Sequence, residues 1–353
     1  MSRQLAKILD LHLDPEYGSH YWLRKQDELG FSIRQRVQSI GDLYELGPFD
    51  LDTLAQNPVE NFIPRSLIGS RTLITGETGG ATGNPKTTAY FVDEFNAAFI
   101  EPFLRATGWA EKFGQGNWLW LGPSGPHIIG KVARRIAEIT TRCDSFSVDF
   151  DPRWYRALAP ESIARRRYME HLINQALSIT EQQDIRFLFS TPVVLLSLAE
   201  RMAGLQKQSI VFIYLGGMPV TVEAVNRLGD YFPNAEFLSG YGNTLFGVSH
   251  ELSTHWPDVR KPDYFPSSER LILQLISQDQ SLSDNERLRH PVAYGEIGQV
   301  NMHRLDESCF LANVLERDSG IRIASPEGFD IGDGIGNPQP AVPKKFKVEN
   351  GIY

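Results

Sequence analysis

The stretch SIVFIYLGGMPVTVEAVNRLGDYFPNAEFLSGYG, residues 209–242, decides the fold class. Its apolar run at 209–217 predicts a buried strand, the spaced apolar residues at 221–232 predict an amphipathic helix, and residues 235–242 predict a second strand. Apolar strands joined through helices are typical of parallel sheets that are covered by helices on both faces. The stretch therefore predicts an α/β fold.

The same alternation precedes this stretch. A strand pattern occurs at residues 118–122, 145–150 and 185–190, and a helical pattern occupies residues 127–140 between the first two. Thr191 then provides the N-cap, and Pro192 the first helical residue, of another predicted helix. From about residue 255 the helical patterns fade and the sequence indicates antiparallel β structure. We therefore predict two mostly parallel α/β parts and then a β-rich part with a tail, with approximate bounds 1–190, 191–255 and 256–353.

The composition and charge of the chain exclude several classes of protein. The 353 residues are 41% hydrophobic and carry a formal net charge of −8, which argues against nucleic acid or an anionic membrane as a partner. No uncharged apolar run reaches the ~18 residues that span a bilayer. The two cysteines, Cys143 and Cys309, are far apart and form no C-x-x-C pair, which argues against a disulfide framework. We expect a cytoplasmic protein.

The segment TGGATGNPK, residues 78–86, has the composition of a phosphate-binding loop. It lies between predicted strands at 71–75 and 87–91, so a hairpin would present it. Its glycines leave backbone N–H groups unshielded, and its threonines and Lys86 add further donors, which suits the oxygens of a phosphate chain. A flexible surface turn is the alternative. The Asn-Pro step before Lys86 departs from a Walker A loop, and the glycines do not match a dinucleotide fingerprint.

This loop closely resembles the phosphate loop of the adenylate-forming (ANL) superfamily, which includes acyl-CoA ligases, luciferases and the adenylation domains of peptide synthetases. Further segments resemble motifs of that superfamily in the same order, namely YLGGMPVTVE (214–223), GYGNTLFG (240–247), GEIGQV (295–300) and NVLERD, which ends at Asp318. The spacing of these motifs and the segment WLGPSGPHIIG around His127 resemble the phenylacetate–CoA ligase branch.

The resemblance implies an architecture and a set of site residues. The fold would be the large N-terminal domain of an ANL adenylating enzyme, with two mostly parallel α/β sheet subdomains, a β-rich subdomain and no C-terminal domain. The residues implied to bind ATP or AMP are Thr78, Gly79, Gly80, Thr82, Gly83, Lys86, Gly216, Gly217, Tyr241, Gly242, Asn243, Thr244 and Asp318. Lys86 and Thr244 would be catalytic, and His127 and Gly240 would line the acyl pocket.

Each implied role suits the chemistry of its side chain. Lys86 and the loop would hold the β- and γ-phosphates, whereas Thr244 would hydrogen-bond the α-phosphate and the carboxylate. Tyr241 would stack beside adenine, with a core aromatic as the alternative. Asp318 would accept both ribose hydroxyls, and Asp333, which follows a glycine in FDIGDGIG, is its alternative.

Two departures from the family pattern bear on activity. Leu245 stands where the superfamily motif ends in a Glu that helps to hold Mg²⁺, and a leucine cannot bind a hard cation. We expect ATP and Mg²⁺ as cofactors, with the metal ligands unassigned. The chain after Asp318 is also short, so we expect the small C-terminal domain and its catalytic Lys to be absent, which argues against a conventional CoA-ligase half-reaction.

The resemblance predicts an adenylate-forming ligase that activates an aromatic carboxylate and releases pyrophosphate. The chain is similar to the shortened adenylating proteins of phenazine antibiotic (griseoluteic acid type) biosynthesis, so we expect a phenazine acid as substrate and a reductase or acyl-acceptor enzyme as partner. A homodimer stays open. One alternative is an acyl-protein synthetase-like or CoA ligase-like activator with Cys309 as its candidate thiol, and another is a degenerate nucleotide- or ligand-binding protein without turnover.

Overall fold

The computed structural model describes residues 2–79, 84–255, 262–327 and 332–340. The helices are α1 Arg3–His12, α2 His20–Leu29, α3 Ile33–Arg36, α4 Thr53–Gln56, α5 Val92–Phe95, α6 Glu101–Thr107, α7 Trp109–Lys112, α8 Ile128–Thr141, α9 Pro152–Ala157, α10 Ile163–Gln182, α11 Pro192–Ala199, α12 Gly204–Ser209, α13 Val222–Tyr231 and α14 Asp284–Arg287. The strands are β1 Leu73–Glu77, β2 Thr87–Phe91, β3 Asn117–Gly122, β4 Phe146–Asp149, β5 Ile185–Ser190, β6 Phe212–Leu215, β7 Glu236–Asn243, β8 Gly247–His250, β9 Asp263–Tyr264, β10 Leu271–Ile276, β11 Ile297–Leu305, β12 Phe310–Ile323 and β13 Gly334–Pro340. None of the helices in these ranges is long and apolar enough to cross a bilayer.

The larger sheet confirms the predicted alternation of strands and helices. Its strand order is β4-β3-β5-β6-β7-β8, in which every pair is parallel except β7 with β8. Helices provide the crossovers between the parallel strands, and α11 after β5 begins as the sequence predicts. Its N-cap Thr191 accepts a hydrogen bond from the Val194 amide through the side-chain oxygen, and Pro192 occupies the first turn.

The two faces of this sheet differ in chemistry. In β5 and β6 the side chains of Leu188 and Ile213 belong to a mostly aliphatic core, which α10, α11 and α13 cover. The side chains of Phe187, Phe212 and Tyr214 point to the opposite face and join an aromatic core under α6 and α8. Tyr214 lies near the carboxyl end of β6, so the aromatic face extends to that edge of the sheet.

The boundary inside the α/β region differs from the predicted one. β5 ends at Ser190 and pairs in parallel with β6, so strands on both sides of the predicted 190/191 boundary share one sheet instead of forming two. The apolar runs predict that these strands exist, but the sheet that each strand joins depends on pairing between segments that are distant in sequence. Consecutive strands are commonly neighbours in a sheet, and that preference holds across residue 190.

The second sheet confirms the predicted β-rich part. Its order is β10-β11-β12-β13-β9, and all of its pairs are antiparallel. The amphipathic helices α1 and α2 contribute Leu5, Leu9 and Trp22 to the core of this sheet. The indole nitrogen of Trp22 donates to the Phe310 carbonyl at 3.0 Å, which satisfies the one polar group of this buried ring.

The predicted hairpin around the Gly-rich loop is also confirmed. β1 and β2 pair antiparallel, with Leu73 opposite Phe91 and Glu77 opposite Thr87. After β2, α5 continues through a π-helical segment, Asn96–Ile100, into α6. Such segments are rare and often occur at functional sites.

Candidate active site

Two adjoining cavities lie at the carboxyl ends of β6 and β7, where parallel α/β sheets commonly bind ligands. The first, here called the apolar cavity, has a volume of about 280 Å³, and its wall includes Phe99, Val132 and Val248. The second, here called the polar cavity, has a volume of about 260 Å³ and includes residues of the antiparallel sheet. The two cavities share three glycines as wall residues, namely Gly217, Gly240 and Gly242.

The structure brings most of the described candidate residues to these two cavities. Those in the wall of the apolar cavity are Thr78, Gly79, His127, Gly216, Gly217, Gly240, Gly242, Asn243 and Thr244. Those in the wall of the polar cavity are Gly217, Gly240, Tyr241, Gly242 and Asp318. The candidates Gly80, Thr82 and Gly83 lie outside the described residues. The assigned roles of all these residues stay predictions.

Asp318 and its alternative Asp333 have different surroundings. Asp318 lines the polar cavity and accepts a hydrogen bond from the Tyr241 hydroxyl at 3.1 Å. Burial, and then the Asp318 charge, hold the pKa of Tyr241 well above its ordinary value, so the phenol keeps its proton. Asp333 instead accepts hydrogen bonds from Arg322 at 2.8 Å and from the Tyr294 hydroxyl at 3.0 Å. Of the two carboxylates, Asp318 is the one that lines this cavity.

The turn between β7 and β8 places Asn243 and Thr244 between the two sheets. The Asn243 side chain accepts from the Leu245 amide at 2.9 Å and donates to Glu316 on β12 at 2.8 Å. The Thr244 carbonyl accepts from the Tyr90 hydroxyl at 2.8 Å, which fixes the backbone at this point. The Thr244 hydroxyl lies 3.5 Å from the Glu77 carbonyl, at the limit of a hydrogen bond, so it can turn toward a stronger acceptor.

A close backbone approach explains why this turn contains glycine. A Cβ atom at Gly242 would lie 2.0 Å from the Gly247 carbonyl oxygen, so a side chain at residue 242 would push β7 and β8 apart. Gly247 has a φ of 99°, in the region that favours glycine. The motif GYGNTLFG therefore has a structural requirement for two of its glycines in addition to any role in binding.

Leu245 does not face the cavities. Its side chain is only 3% exposed and belongs to the core of the antiparallel sheet, together with Phe246. Within the described ranges, no group of three His, Cys, Asp or Glu side chains is arranged to hold a metal ion. Mg²⁺ commonly binds through nucleotide phosphates and water with few protein ligands, so the expectation of Mg²⁺ stays a prediction.

A buried ionic cluster holds this turn against the hairpin that carries the loop. Arg304 donates to the Leu245 carbonyl at 3.0 Å and to the Ala89 carbonyl of β2 at 2.7 Å, and Arg270 donates to the Phe246 carbonyl at 2.7 Å. Asp306 accepts from Arg304 at 2.6 Å and from Arg270 at 2.9 Å. Burial alone would raise the pKa of Asp306, but Arg270 and Arg304 outweigh it and hold that pKa below its ordinary range.

The base of the Gly-rich loop is closed by Thr78 and Lys86. The Thr78 amide donates to the Lys86 carbonyl at 3.0 Å, and the Lys86 amide donates to the Thr78 hydroxyl at 2.9 Å. The Lys86 ammonium group lies 3.5 Å from Asp52, with the lysine side chain 14% exposed. Among the residues described, Lys86 is the candidate that lines neither cavity.

Two arginines that the sequence analysis missed bind the same part of the loop. Arg153 donates to the Glu77 carboxylate at 3.0 Å and to the Thr78 carbonyl at 3.2 Å, and Arg156 donates to the Gly79 carbonyl at 2.7 Å. Both lie on α9, and Arg156 also lines the apolar cavity. Burial, and then the charge of Arg153, lower the pKa of His127, so this side chain is neutral at pH 7. No pattern in the segment DPRWYR indicated that its arginines reach a loop more than 70 residues away in sequence.

Cys309 does not suit the role of an acyl-accepting thiol. It is buried in the core of the antiparallel sheet, and burial raises the pKa of its thiol to about 11. A thiol must ionise to become a strong nucleophile. The structural role for this cysteine, which is common for buried cysteines, is therefore the better interpretation.

Comparisons with known proteins show which solved structures share this fold. One is 2-hydroxyisobutyryl-CoA ligase in an open conformation with 2-HIB-AMP and CoA, which is 12% identical, with a TM-score of 0.67 over 98% of this chain and 70% of that chain. The same ligase in its thioesterification state is 14% identical, with a TM-score of 0.65 over 96% of this chain and 67% of that one. No protein-family model and no curated protein matches the sequence. The structural likeness confirms the predicted α/β fold, which this chain shares with that ligase over 98% of its length.

Proposed function

We propose that this protein uses ATP to convert a carboxylic acid into its acyl-adenylate, with release of pyrophosphate. The observation that carries the proposal is the pair of adjoining cavities, one apolar and one polar, that meet at Gly217, Gly240 and Gly242. An acyl-adenylate has the same division, because an apolar acyl group and a polar nucleoside are joined through one phosphate. The likeness to a solved CoA ligase that holds an acyl-AMP supports this reading.

The nucleoside would occupy the polar cavity. Asp318 offers two carboxylate oxygens, which suit the two hydroxyls of a ribose ring. The hydrogen bond from the Tyr241 hydroxyl orients this carboxylate. The acyl group would occupy the apolar cavity, whose wall includes Phe99 and Val248.

The reacting groups would meet where the cavities join. One carboxylate oxygen attacks the α-phosphorus, an O–P bond forms, and the bond from that phosphorus to the bridging oxygen of the β-phosphate breaks, so pyrophosphate leaves. The Thr244 hydroxyl, weakly bound to the Glu77 carbonyl, is free to turn toward the α-phosphate. Because two anions must approach each other, cationic groups such as Arg156 at the apolar cavity would lower their repulsion.

Lys86 would join this site by leaving Asp52 and pairing with the phosphates of ATP instead. Its present partner Asp52 has a side chain that is 69% exposed, and ion pairs with exposed partners contribute little. A polyphosphate chain at the loop would therefore compete well for the lysine. Magnesium would supply further charge neutralisation when bound with the nucleotide.

We further propose that the acid is aromatic, with a phenazine carboxylate as one candidate, and that a reductase or acyl-acceptor enzyme takes the product. The apolar cavity supports a flat ring acid, because its wall combines Phe99 and Tyr214 with aliphatic side chains. The same account allows a homodimer and does not require one.

Binding without turnover is the second candidate function. The contact between Lys86 and Asp52 favours it, because in this arrangement the one lysine of the loop lines neither cavity. In that case AMP or ATP would bind in the polar cavity, and exchange of pyrophosphate into ATP would not occur with any acid.

Carboxylate-dependent exchange of labelled pyrophosphate into ATP tests the proposal. Phenazine, phenylacetic, benzoic and fatty acids would each be supplied with Mg²⁺. Exchange is expected with one class of acid, and Lys86→Ala and Thr244→Val should each reduce it by about 100-fold, as the loss of one preorganised transition-state donor does. Lys25→Ala on α2 is the control and should leave exchange unchanged. Measurable AMP binding without exchange from any acid would favour the second candidate.

A further inference from the structure

A buried tyrosine and histidine form a pair beside the apolar cavity. The Tyr214 hydroxyl on β6 lies 2.8 Å from Nε2 of His250 on β8, and both side chains are almost fully buried. Tyr214 contributes to the cavity wall, whereas His250 lies behind it. The mechanism of adenylate formation uses neither residue.

The surroundings of His250 indicate which atom of the pair donates. Burial lowers the pKa of His250 to about 3, so the ring is neutral and has a single N–H. Nδ1 of His250 has no hydrogen-bond partner within the described part of the chain. A buried donor without a partner is rarer in proteins than a buried acceptor without one, which favours the proton on Nε2. Nε2 then donates to the Tyr214 oxygen, and the hydroxyl proton of Tyr214 is left for another acceptor.

Gly240 lies beside this hydroxyl, and both residues line the cavity. A Cβ atom at residue 240 would lie 3.2 Å from the Tyr214 hydroxyl oxygen and 2.6 Å from Cγ2 of Val248, so only glycine fits between these side chains as they stand. A ligand in the cavity can therefore approach the hydroxyl without a side chain of residue 240 in the way.

We propose that Tyr214, oriented by His250, donates a hydrogen bond to an uncharged acceptor on the acyl group, such as a ring nitrogen or an ether or carbonyl oxygen. This inference rests on the proposed function, in which the apolar cavity takes the acyl group. An acid without such an acceptor would leave the buried hydroxyl proton unpaired, and a site built around a hydrogen bond discriminates against ligands that cannot make it. Tyr214 would thus determine specificity rather than take part in the chemical step.

Matched ring acids test the inference. Quinoline carboxylic acids with the nitrogen at different ring positions would be compared with the two naphthoic acids, which have the same shape without the acceptor. Binding would be measured by calorimetry in the presence of AMP, and pyrophosphate exchange would be measured in parallel. At least one quinoline acid should bind about tenfold more tightly than the naphthoic acid of the same shape, as expected for one hydrogen bond.

Two variants distinguish the effect of the Tyr214 hydroxyl on ligand preference from the effect of the rest of the cavity. Tyr214→Phe should bring the ratio of the two affinities close to one without weakening naphthoic acid binding, and Tyr17→Phe, an exposed tyrosine, should keep the wild-type ratio. Gly240→Ala should also reduce the preference, because the added methyl group would lie against the hydroxyl and would displace Val248 of the cavity wall. This second variant leaves Tyr214 itself in place.

The outcomes distinguish this inference from the proposed function. Equal binding of every quinoline and naphthoic acid, saturable binding of neither, or a preference that survives in Tyr214→Phe would overturn the inference. Acceptor-selective binding that is lost in Tyr214→Phe, but without pyrophosphate exchange for any acid, would support the inference and contradict adenylate formation.

Discussion

At the scale of single residues, Leu245 shows how burial limits what a motif position can do. The resemblance to the ANL superfamily suggests that a glutamate at residue 245 would provide a metal ligand. In the structure, the Leu245 side chain is a core residue, and Arg304 is bonded to its carbonyl oxygen instead of facing its side chain. A carboxylate introduced at residue 245 would be buried in the core of the antiparallel sheet and would not face a nucleotide in the cavities.

Leu245→Glu is therefore expected to destabilise the fold and not to increase exchange. Burying an uncompensated charge typically costs about 3 kcal/mol or more, so the midpoint of urea unfolding should fall clearly. Leu245→Met, which conserves apolar volume, should lose less than about 1.5 kcal/mol. An unchanged midpoint together with a large gain in pyrophosphate exchange would show that the side chain reaches the site and that the natural chain had lost a metal ligand.

At the scale of elements, the buried cluster of Arg270, Arg304 and Asp306 connects three elements of the fold. It joins the β7–β8 turn, the hairpin strand β2 and the antiparallel strand β11, which carries Arg304. Each arginine donates to a backbone carbonyl that a loop would otherwise leave unpaired. The position of Thr244 at the cavities therefore depends on a carboxylate that lies outside them.

Asp306→Asn tests that dependence. The change would leave two buried guanidinium groups without their anion, and breaking a buried pair in this way costs about 3–5 kcal/mol. The unfolding free energy should fall by that order, with a further loss of exchange activity in the protein that remains folded. Asp284→Asn is the matched control, because Asp284 pairs with Arg287 but has a side chain that is 53% exposed, so it should change stability by less than about 1 kcal/mol. Equal effects of the two changes would contradict the account of the cluster.

Patterns that are local along the chain predicted the elements well. The alternation of apolar runs predicted β5, β6 and β7, the Thr-Pro step predicted the start of α11, and the hairpin around the loop was predicted from its two flanking strands. The motifs also gave the candidate residues, most of which, among those described, line the two cavities, and their roles stay predictions.

Contacts between distant segments could not be predicted. The reach of Arg153 to Glu77, and the pairing of Tyr214 with His250, depend on how helices and strands pack after they form. The shared sheet across residue 190 has the same origin. Neither apolar periodicity nor motif spacing carries that information in a single sequence.

At the scale of the whole molecule, the polar cavity connects the two sheets. Its wall combines Gly217, which follows β6, and Tyr241 of β7 with Asp318 and Asn337 from the antiparallel sheet. A nucleotide bound in the polar cavity would contact both sheets at once. The likeness to a ligase solved with an acyl-AMP extends over 98% of this chain, so both sheets take part in the shared fold.

The most direct test of adenylate formation follows oxygen atoms from the acid. A carboxylic acid that the protein accepts would be labelled with ¹⁸O in its carboxyl group and incubated with ATP, Mg²⁺ and the protein, and the products would be analysed by mass spectrometry. Attack of the carboxylate on the α-phosphorus predicts an acyl-adenylate that carries the label, and AMP with one ¹⁸O after its hydrolysis at the acyl carbon, together with pyrophosphate. Unlabelled AMP, or label in inorganic phosphate with ADP as the nucleotide product, would contradict the account.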